Sequence, residues 1–163
     1  MKILITMVPF GDKSRRQLEQ IDSAGIEYLI NPLNRKLTEQ ELSEMVTDFD
    51  VIIVGTEAFT DHVMEFALNL KMISRAGIGL DNVDLLAAKQ RGIKVSYTPD
   101  APSSAVAELT IGMMLTLLRF VHLSNMQKHD GKWHRYFGRR LSECTVGIIG
   151  TGRIGKRVVS HLI

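Results

Sequence analysis

The stretch TVGIIGTGRIGKRVVSHLI, from Thr145 to Ile163, decides how the fold is interpreted. Its apolar start, Val146 to Ile149, predicts a β-strand, and the residues after Gly155 have the apolar spacing of a helix. Between the two lies the pattern Gly150-x-Gly152-x-x-Gly155. A strand, a glycine turn and a helix in this order are typical of the start of a dinucleotide-binding unit.

Each glycine of such a turn has a separate role. Gly150 permits the tight turn, Gly152 lets the backbone approach a pyrophosphate, and Gly155 lets the helix pack closely on the strand. The N–H groups of the first helical turn then face the phosphates. The alternative interpretation is a tight strand–helix turn that binds no ligand. The acidic residue that holds the ribose is expected about 20 residues further on, after Ile163.

The first hundred residues alternate short apolar strands with helical segments, which predicts an open parallel sheet covered on both faces. The predicted strands are 2–6, 27–30, 51–54, 72–74 and 94–98, and the predicted helices are 15–24, 38–46, 61–68 and 84–90. Thr38 and Glu41 form a capping-box pattern, and Thr60 is expected to cap the following helix. The fully apolar strand 51–54 is expected at the centre of the sheet.

A long apolar segment, AVAELTIGMMLTLLRFVHLSNMQ, follows from Ala105 to Gln127 and predicts one helix. Its first half is apolar on nearly every face, which predicts burial against a large partner. We therefore expect association through the segment after Ser104, as a homodimer, because buried apolar surface stabilises by about 25 cal/mol per Å².

A second glycine-rich loop, Arg75 to Asn82, follows the fourth predicted strand. Open α/β sheets bind ligands at the carboxyl ends of their strands. Gly77 and Gly79 would expose successive backbone N–H groups, which form a nest suited to a carboxylate. The arginine that opens the loop could add positive charge. The alternative is a plain glycine turn whose last residues, Asp81 and Asn82, cap the next helix.

Composition excludes several function classes. The net charge of +2 over 163 residues is too small to indicate a nucleic-acid partner. No run of eighteen apolar residues predicts a membrane span. The single cysteine, Cys144, excludes an internal disulfide and favours the reducing cytoplasm. The five histidines show neither metal-ligand spacing nor an evident carboxylate partner, so we expect no metal site.

Four motifs in this order resemble those of the D-isomer-specific 2-hydroxyacid dehydrogenases: RAGIGLDNVD, TPDAPSSAVAELTIGMMLTLLR, DGKW and VGIIGTGRIGKRV. The resemblance runs from about Val51 to Ile163, and the family members that oxidise phosphoglycerate are the most similar. It implies a flavodoxin-like substrate-binding domain over residues 1–100. Residues 101–163 would then be a linking helix and the first strand, turn and helix of an NAD-binding Rossmann domain.

The resemblance also implies the chemistry, which is hydride transfer between C2 of a small 2-hydroxy or 2-oxo acid and NAD, with NADP not excluded. The implied substrate-binding residues are Arg75, Ala76, Gly77, Ile78 and Gly79, and the implied cofactor-binding residues are Ile78, Gly150, Gly152, Arg153, Ile154 and Gly155. The family's catalytic arginine, glutamate and histidine correspond to positions after Ile163. The 163 residues alone are therefore expected to be inactive and to bind NAD weakly.

Two positions depart from the family pattern. The sequence Gly55-Thr56-Glu57 stands where phosphoglycerate-oxidising members often carry a basic residue, and the acidic Glu57 argues against a phosphorylated substrate. Pro102 stands where the family often has asparagine, so the interdomain hinge is expected to differ. The alternative to an enzyme is a non-catalytic flavodoxin-like module that binds a small acid or a protein partner, or that dimerises.

Overall fold

The computed structural model describes all residues from Met1 to Ile163. The chain divides into two compact units, Met1–Pro99 and Asp100–Ile163. The substrate-binding and cofactor-binding roles expected of the two parts of the chain stay predictions.

The first unit is built on one parallel sheet. Its strands are β1 (Lys2–Ile5), β2 (Glu27–Ile30), β3 (Val51–Val54), β4 (Met72–Arg75) and β5 (Lys94–Tyr97). All neighbouring strands pair in parallel, in the order β2-β1-β3-β4-β5. This is the strand order of flavodoxin-like folds, so the predicted α/β fold of this part of the chain is confirmed.

Both faces of the sheet are covered by apolar side chains. Leu4 and Ile52 belong to one buried cluster, whereas Ile5 and Ile53 belong to the packing of a second. Because successive residues of a strand point to opposite faces, the two clusters lie on opposite sides of the sheet. Full burial of such a side chain contributes about 1.5–3 kcal/mol, so the central strand β3 is held from both sides.

Four helices connect the strands: α1 (Arg16–Ser23), α2 (Glu39–Met45), α3 (Asp61–Phe66) and α4 (Leu85–Gln90). The predicted capping box is confirmed, since Thr38 Oγ1 accepts from the Glu41 N–H at 3.3 Å and the Glu41 carboxylate accepts from the Thr38 N–H at 2.9 Å. Arg35 also donates a hydrogen bond to this carboxylate. This hydrogen bond, together with the one from the Thr38 N–H, lowers the pKa of Glu41 to about 2. Thr60 caps α3 as predicted.

The second unit contains α5 (Ser103–Leu118), α6 (Val121–His129) and α7 (Arg153–Leu162). The prediction of one helix from 105 to 127 is wrong, because the axis bends by 66° between α5 and α6. The break falls at Phe120, whose backbone is left-handed with φ of 55°. No single helix of the chain is long and apolar enough to cross a membrane, although α5 and α6 taken as a bent pair have the required length and composition.

Two contacts hold the break open. The Leu118 carbonyl accepts from the Arg139 N–H at 3.0 Å. In a continuous helix that carbonyl would instead accept from the N–H of the residue four positions later. The Phe120 ring stacks on the Tyr136 ring with 5.3 Å between their centroids. The segment that follows α6 therefore supplies the contacts that a continuous helix would otherwise make at this point.

The predicted strand Val146–Ile149 is also wrong. Its side chains alternate between partly buried and exposed, as in a strand, but no other segment of the chain pairs with it. A strand needs a neighbour to complete its hydrogen bonds, and this segment has none.

The apolar surface of α5 is only partly covered within this chain. The helix packs against α7, and its fully buried residues are Ser103 and Ala107. Leu109, Met113 and Leu117 are 63%, 58% and 64% exposed. They recur every four residues and therefore form one stripe along the helix.

Candidate functional site

The loop after β4 presents unpaired backbone donors at the carboxyl end of the sheet. The Ala76 N–H donates to the carbonyl at the end of β3 at 2.9 Å, which extends the strand pairing by one residue. The Gly77 N–H turns back to the Arg75 carbonyl at 3.0 Å. No hydrogen bond uses the N–H groups of Ile78 and Gly79. Two successive free donors of this kind can bind an anion such as a carboxylate.

Asn82 ties this loop to the loop that follows β3. Its Nδ2 donates to the carbonyls of Glu57 at 2.7 Å and of Gly55 at 3.2 Å, and its Oδ1 accepts from Arg75 Nε at 3.4 Å. The suggestion that Asp81 and Asn82 cap the next helix is therefore wrong. That cap is Asp84, whose Oδ1 accepts from two N–H groups in the first turn of α4.

Arg75 contacts the backbone of its own loop. Its Nη1 donates to the Ala76 carbonyl at 2.5 Å. The guanidinium lies over Gly77, where an added Cβ would stand 1.5 Å from Nη1. The sequence predicts that the positive charge of Arg75 assists anion binding by the nest. In this conformation the Arg75 guanidinium instead holds the shape of the loop.

Glu57 is an internal residue of the same edge of the sheet. Its side chain is 3% exposed, and its Oε2 accepts from the Gly55 N–H at 2.9 Å and from Thr6 Oγ1 at 3.2 Å. The buried Thr6 lies just beyond β1, so Glu57 links the carboxyl ends of β1 and β3. A carboxylate held in this way is a structural brace, so Glu57 does not count against a phosphorylated substrate.

The glycine turn before α7 has the three geometric features that its sequence predicts. Gly150 has φ of 91°, which favours glycine. A Cβ on Gly155 would lie 2.1 Å from the Gly150 carbonyl oxygen, so the helix approaches the turn too closely for a side chain. A Cβ on Gly152 would meet nothing within 4 Å, so open space lies over the middle of the turn.

The first turn of α7 leaves its backbone donors free. Its first helical hydrogen bond runs from the Lys156 N–H to the Gly152 carbonyl at 3.0 Å. The N–H groups of Arg153, Ile154 and Gly155 therefore have no partner within the helix. Unpaired donors at a helix N-terminus, together with the helix dipole, favour a phosphate. Five of the residues that the resemblance assigns to the cofactor, Gly150, Gly152, Arg153, Ile154 and Gly155, thus share one turn of backbone. The sixth, Ile78, lies in the loop after β4.

Arg157 fixes α7 to the start of α5, a contact that the sequence pattern did not indicate. Its Nη2 donates to Asp100 Oδ2 at 2.8 Å and its Nε donates to Ser104 Oγ at 3.2 Å. The hydrogen bond from this guanidinium lowers the pKa of the Asp100 carboxyl below its ordinary value. The helix that follows the glycine turn is therefore held at a defined place in the second unit.

The histidines contribute no further candidate site. The expectation that none has a carboxylate partner is wrong for His62, whose Nδ1 lies 3.5 Å from Glu65 Oε2. Both side chains are more than half exposed and lie one turn apart on α3. No group of three or more His, Cys, Asp or Glu side chains is placed to hold a metal ion.

Comparison with known proteins decides the family. The family profile described as "D-isomer specific 2-hydroxyacid dehydrogenase, catalytic domain" matches residues 4–159. The chain belongs to the D-isomer specific 2-hydroxyacid dehydrogenase family. That match covers nearly the whole chain, and it includes both the loop after β4 and the glycine turn.

Three relatives illustrate the similarity. D-3-phosphoglycerate dehydrogenase of Methanocaldococcus jannaschii is 40% identical over 99% of this chain and 30% of its own length. Hydroxypyruvate reductase of Thermotoga maritima is 35% identical over 89% of this chain and 50% of its own. The crystal structure of NAD⁺-bound 3-phosphoglycerate dehydrogenase from Entamoeba histolytica superposes with a TM-score of 0.81 at 30% identity. That superposition covers 99% of this chain and 50% of that one. The chain therefore spans between about a third and a half of these 2-hydroxyacid dehydrogenases.

The geometry of the glycine turn can be tested by two alanine substitutions. We predict that Gly155→Ala lowers the free energy of unfolding of the second unit by about 1–3 kcal/mol, the usual cost of overpacking. The added Cβ would stand 2.1 Å from a backbone oxygen, and this outweighs the gain of about 0.5–1 kcal/mol from replacing a helical glycine. Thermal unfolding of the chain, with hydrogen exchange of the α7 amides, measures the effect.

The matched control is Gly152→Ala, whose Cβ points into open space. This position is the N-cap of α7, where alanine costs no more than about 1 kcal/mol relative to glycine. Equal losses of stability in the two variants would contradict the assigned geometry, since only Gly155 is packed against backbone.

Proposed function

We propose that this chain is the substrate-binding part, with the start of the cofactor-binding part, of an NAD(P)-dependent oxidoreductase that acts on the CH–OH group of a D-2-hydroxy acid. The observation that carries the proposal is the pair of unpaired N–H groups of Ile78 and Gly79 at the carboxyl ends of the parallel strands. Family membership supports the same reaction class.

The carboxylate of the acid is proposed to accept hydrogen bonds from those two N–H groups. Hydrogen bonds from backbone donors to an ionised acceptor are roughly twice as strong as neutral ones. They would fix one end of a small acid and thereby define the position of its C2 atom. Arg75 and Ala76 shape the loop, and Gly77 permits the guanidinium to lie across it.

The cofactor is proposed to place its pyrophosphate on the first turn of α7. The free N–H groups of Arg153, Ile154 and Gly155 would donate to the phosphate oxygens, and the open space over Gly152 would admit them. When bound, NAD(P)⁺ would supply the acceptor for the hydride that leaves C2, and the hydroxyl proton would pass to a general base. The Entamoeba relative with bound NAD⁺ favours NAD, and NADP remains the alternative.

We assign no general acid–base residue within the 163 residues. The closest histidine–carboxylate pair, His62 with Glu65, lies on an exposed helix face. Acid–base catalysis typically contributes about 10²–10⁴-fold to a rate, so its absence should abolish detectable turnover. Binding of NAD by these residues alone is also expected to be weak.

The activity test compares the protein that the gene encodes with an isolated polypeptide of residues 1–163. The whole protein is expected to reduce NAD⁺ or NADP⁺ with at least one D-2-hydroxy acid and with none of the L-enantiomers, whereas the polypeptide produces no NAD(P)H. Absorbance at the nicotinamide band follows both reactions. Turnover by the repurified polypeptide would contradict the absence of an acid–base residue. Saturable acid binding by the whole protein without turnover would instead favour the non-catalytic module.

We also propose that two copies associate through α5. The exposed stripe of Leu109, Met113 and Leu117 is the apolar surface that a second copy would cover. Each such side chain that becomes fully buried would contribute about 1.5–3 kcal/mol.

The association test places a charge at the centre of this stripe. Met113→Glu is expected to shift the chain from twice its monomer mass to a monomer, because a buried unpaired carboxylate is strongly unfavourable. Light scattering at high micromolar concentration measures the mass. Lys89→Glu, an exposed position on α4, is the control that should change nothing. A monomeric unmodified chain would contradict the proposal.

A further inference from the structure

The segment Ile78 to Asp81, which contains the donors proposed for the carboxylate, makes almost no backbone hydrogen bonds. None of its N–H groups donates to another part of the chain. Among its carbonyls only that of Leu80 accepts, from the Val83 N–H at 3.0 Å. On the other side, the Gly77 carbonyl accepts from the Thr98 N–H at 3.1 Å. A segment with so few bonds needs side chains to hold it in one conformation.

The backbone of Asn82, just after this segment, is fixed independently of its side chain. The Asn82 carbonyl accepts from the Phe59 N–H at 2.7 Å, and the Phe59 carbonyl accepts from the Asp84 N–H at 3.0 Å. Phe59 and Val83 pair as an isolated parallel β-bridge, and both side chains belong to the main buried cluster. We therefore expect this bridge to survive a substitution of the Asn82 side chain.

The side-chain amide of Asn82 uses both of its N–H donors on the loop after β3. They donate to the carbonyls of Glu57 at 2.7 Å and of Gly55 at 3.2 Å. That loop is itself held from within, because the buried Glu57 carboxylate accepts from the Gly55 N–H and from Thr6 Oγ1. The Asn82 Oδ1 accepts from Arg75 Nε at 3.4 Å. The amide thus joins a braced loop to both ends of the loop that carries the carboxylate donors.

We infer that Asn82 is a positioning residue for the substrate carboxylate, because its side-chain amide holds the N–H groups of Ile78 and Gly79 in the orientation that binds the acid. The inference rests on the proposed function, which places the carboxylate on those two groups. The physical reason is preorganisation: donors that are already ordered lose less conformational freedom when a ligand binds, so the ligand binds more tightly. Asn82 itself does not need to contact the substrate.

The test measures the order of the segment and its affinity for an acid separately, on the 163-residue chain. Relaxation of ¹⁵N nuclei gives the order parameters of the Ile78 and Gly79 N–H groups without any ligand. Calorimetry gives the affinity for D-lactate. In the unmodified chain the order parameters are expected near the value of rigid backbone, about 0.85.

Asn82→Leu removes the amide and keeps a side chain of similar size. The two order parameters are expected to fall to about 0.6 or below, as in flexible backbone. The affinity for D-lactate is expected to fall by at least about fivefold, the factor that one net hydrogen bond provides. Asn82→Asp should lose as much, because it keeps the shape of the side chain and turns its donors toward Gly55 and Glu57 into an acceptor.

Two control variants separate positioning from a general loss of stability. Asn69→Leu makes the same change before β4, at the opposite end of the sheet, where the Asn69 Nδ2 donates to the Thr47 carbonyl at 3.4 Å. It should leave the order parameters and the affinity unchanged. Ile73→Val removes a methyl group from the main buried cluster. It should lower the unfolding temperature and leave the affinity for D-lactate unchanged.

The outcomes separate this inference from the proposed function. If the order parameters stay high in Asn82→Leu, or if they fall while the affinity is unchanged, Asn82 is not a positioning residue. Full affinity in Asn82→Asp, or an equal loss in Ile73→Val, also overturns the inference. If the unmodified chain does not bind D-lactate, the proposed carboxylate site is wrong, and the order parameters alone decide whether Asn82 holds the segment.

Discussion

The side-chain amide of Asn82 is the contact on which the candidate substrate site depends. Where a parallel sheet ends, the backbone carbonyls of its loops need new donors. Asn82 supplies two of these donors to the loop after β3 and accepts from Arg75 in the loop after β4. The two loops are thereby fixed to each other. The free N–H groups of Ile78 and Gly79 lie in the loop that this contact joins to its neighbour.

In the second unit, the features that need only neighbours in sequence form as predicted, whereas the features that need a distant partner do not. The close approach of Gly155 to the Gly150 carbonyl requires only neighbours in sequence, and the turn and α7 take their predicted form. The segment Val146–Ile149 needs a neighbouring strand, and no part of the chain pairs with it. The exposed stripe on α5 reflects the same limitation, because burial requires a surface that this chain does not provide.

The sequence predicted those features that depend on local chemistry. The capping box of Thr38 and Glu41 and the central place of the apolar strand β3 follow from spacing and composition, and the structure confirms both. The break at Phe120 could not be predicted in this way, because its partners, Arg139 and Tyr136, come from a distant part of the chain.

The same distinction applies to the candidate site. Its glycines carry a recognisable spacing, and the family resemblance assigned Arg75 to Gly79 to the substrate. The brace of Asn82 with Glu57 has no spacing signal, since it joins residues 25 positions apart. A lone acid in the apolar stretch VIIVGTEAFT was the available hint, and its burial identifies Glu57 as an internal brace. Titrating ¹⁵N-labelled chain with D-lactate tests the central claim most directly: the account predicts saturable shifts concentrated at the Ile78 and Gly79 amides. Saturable shifts concentrated elsewhere, or none at these two amides, would contradict it.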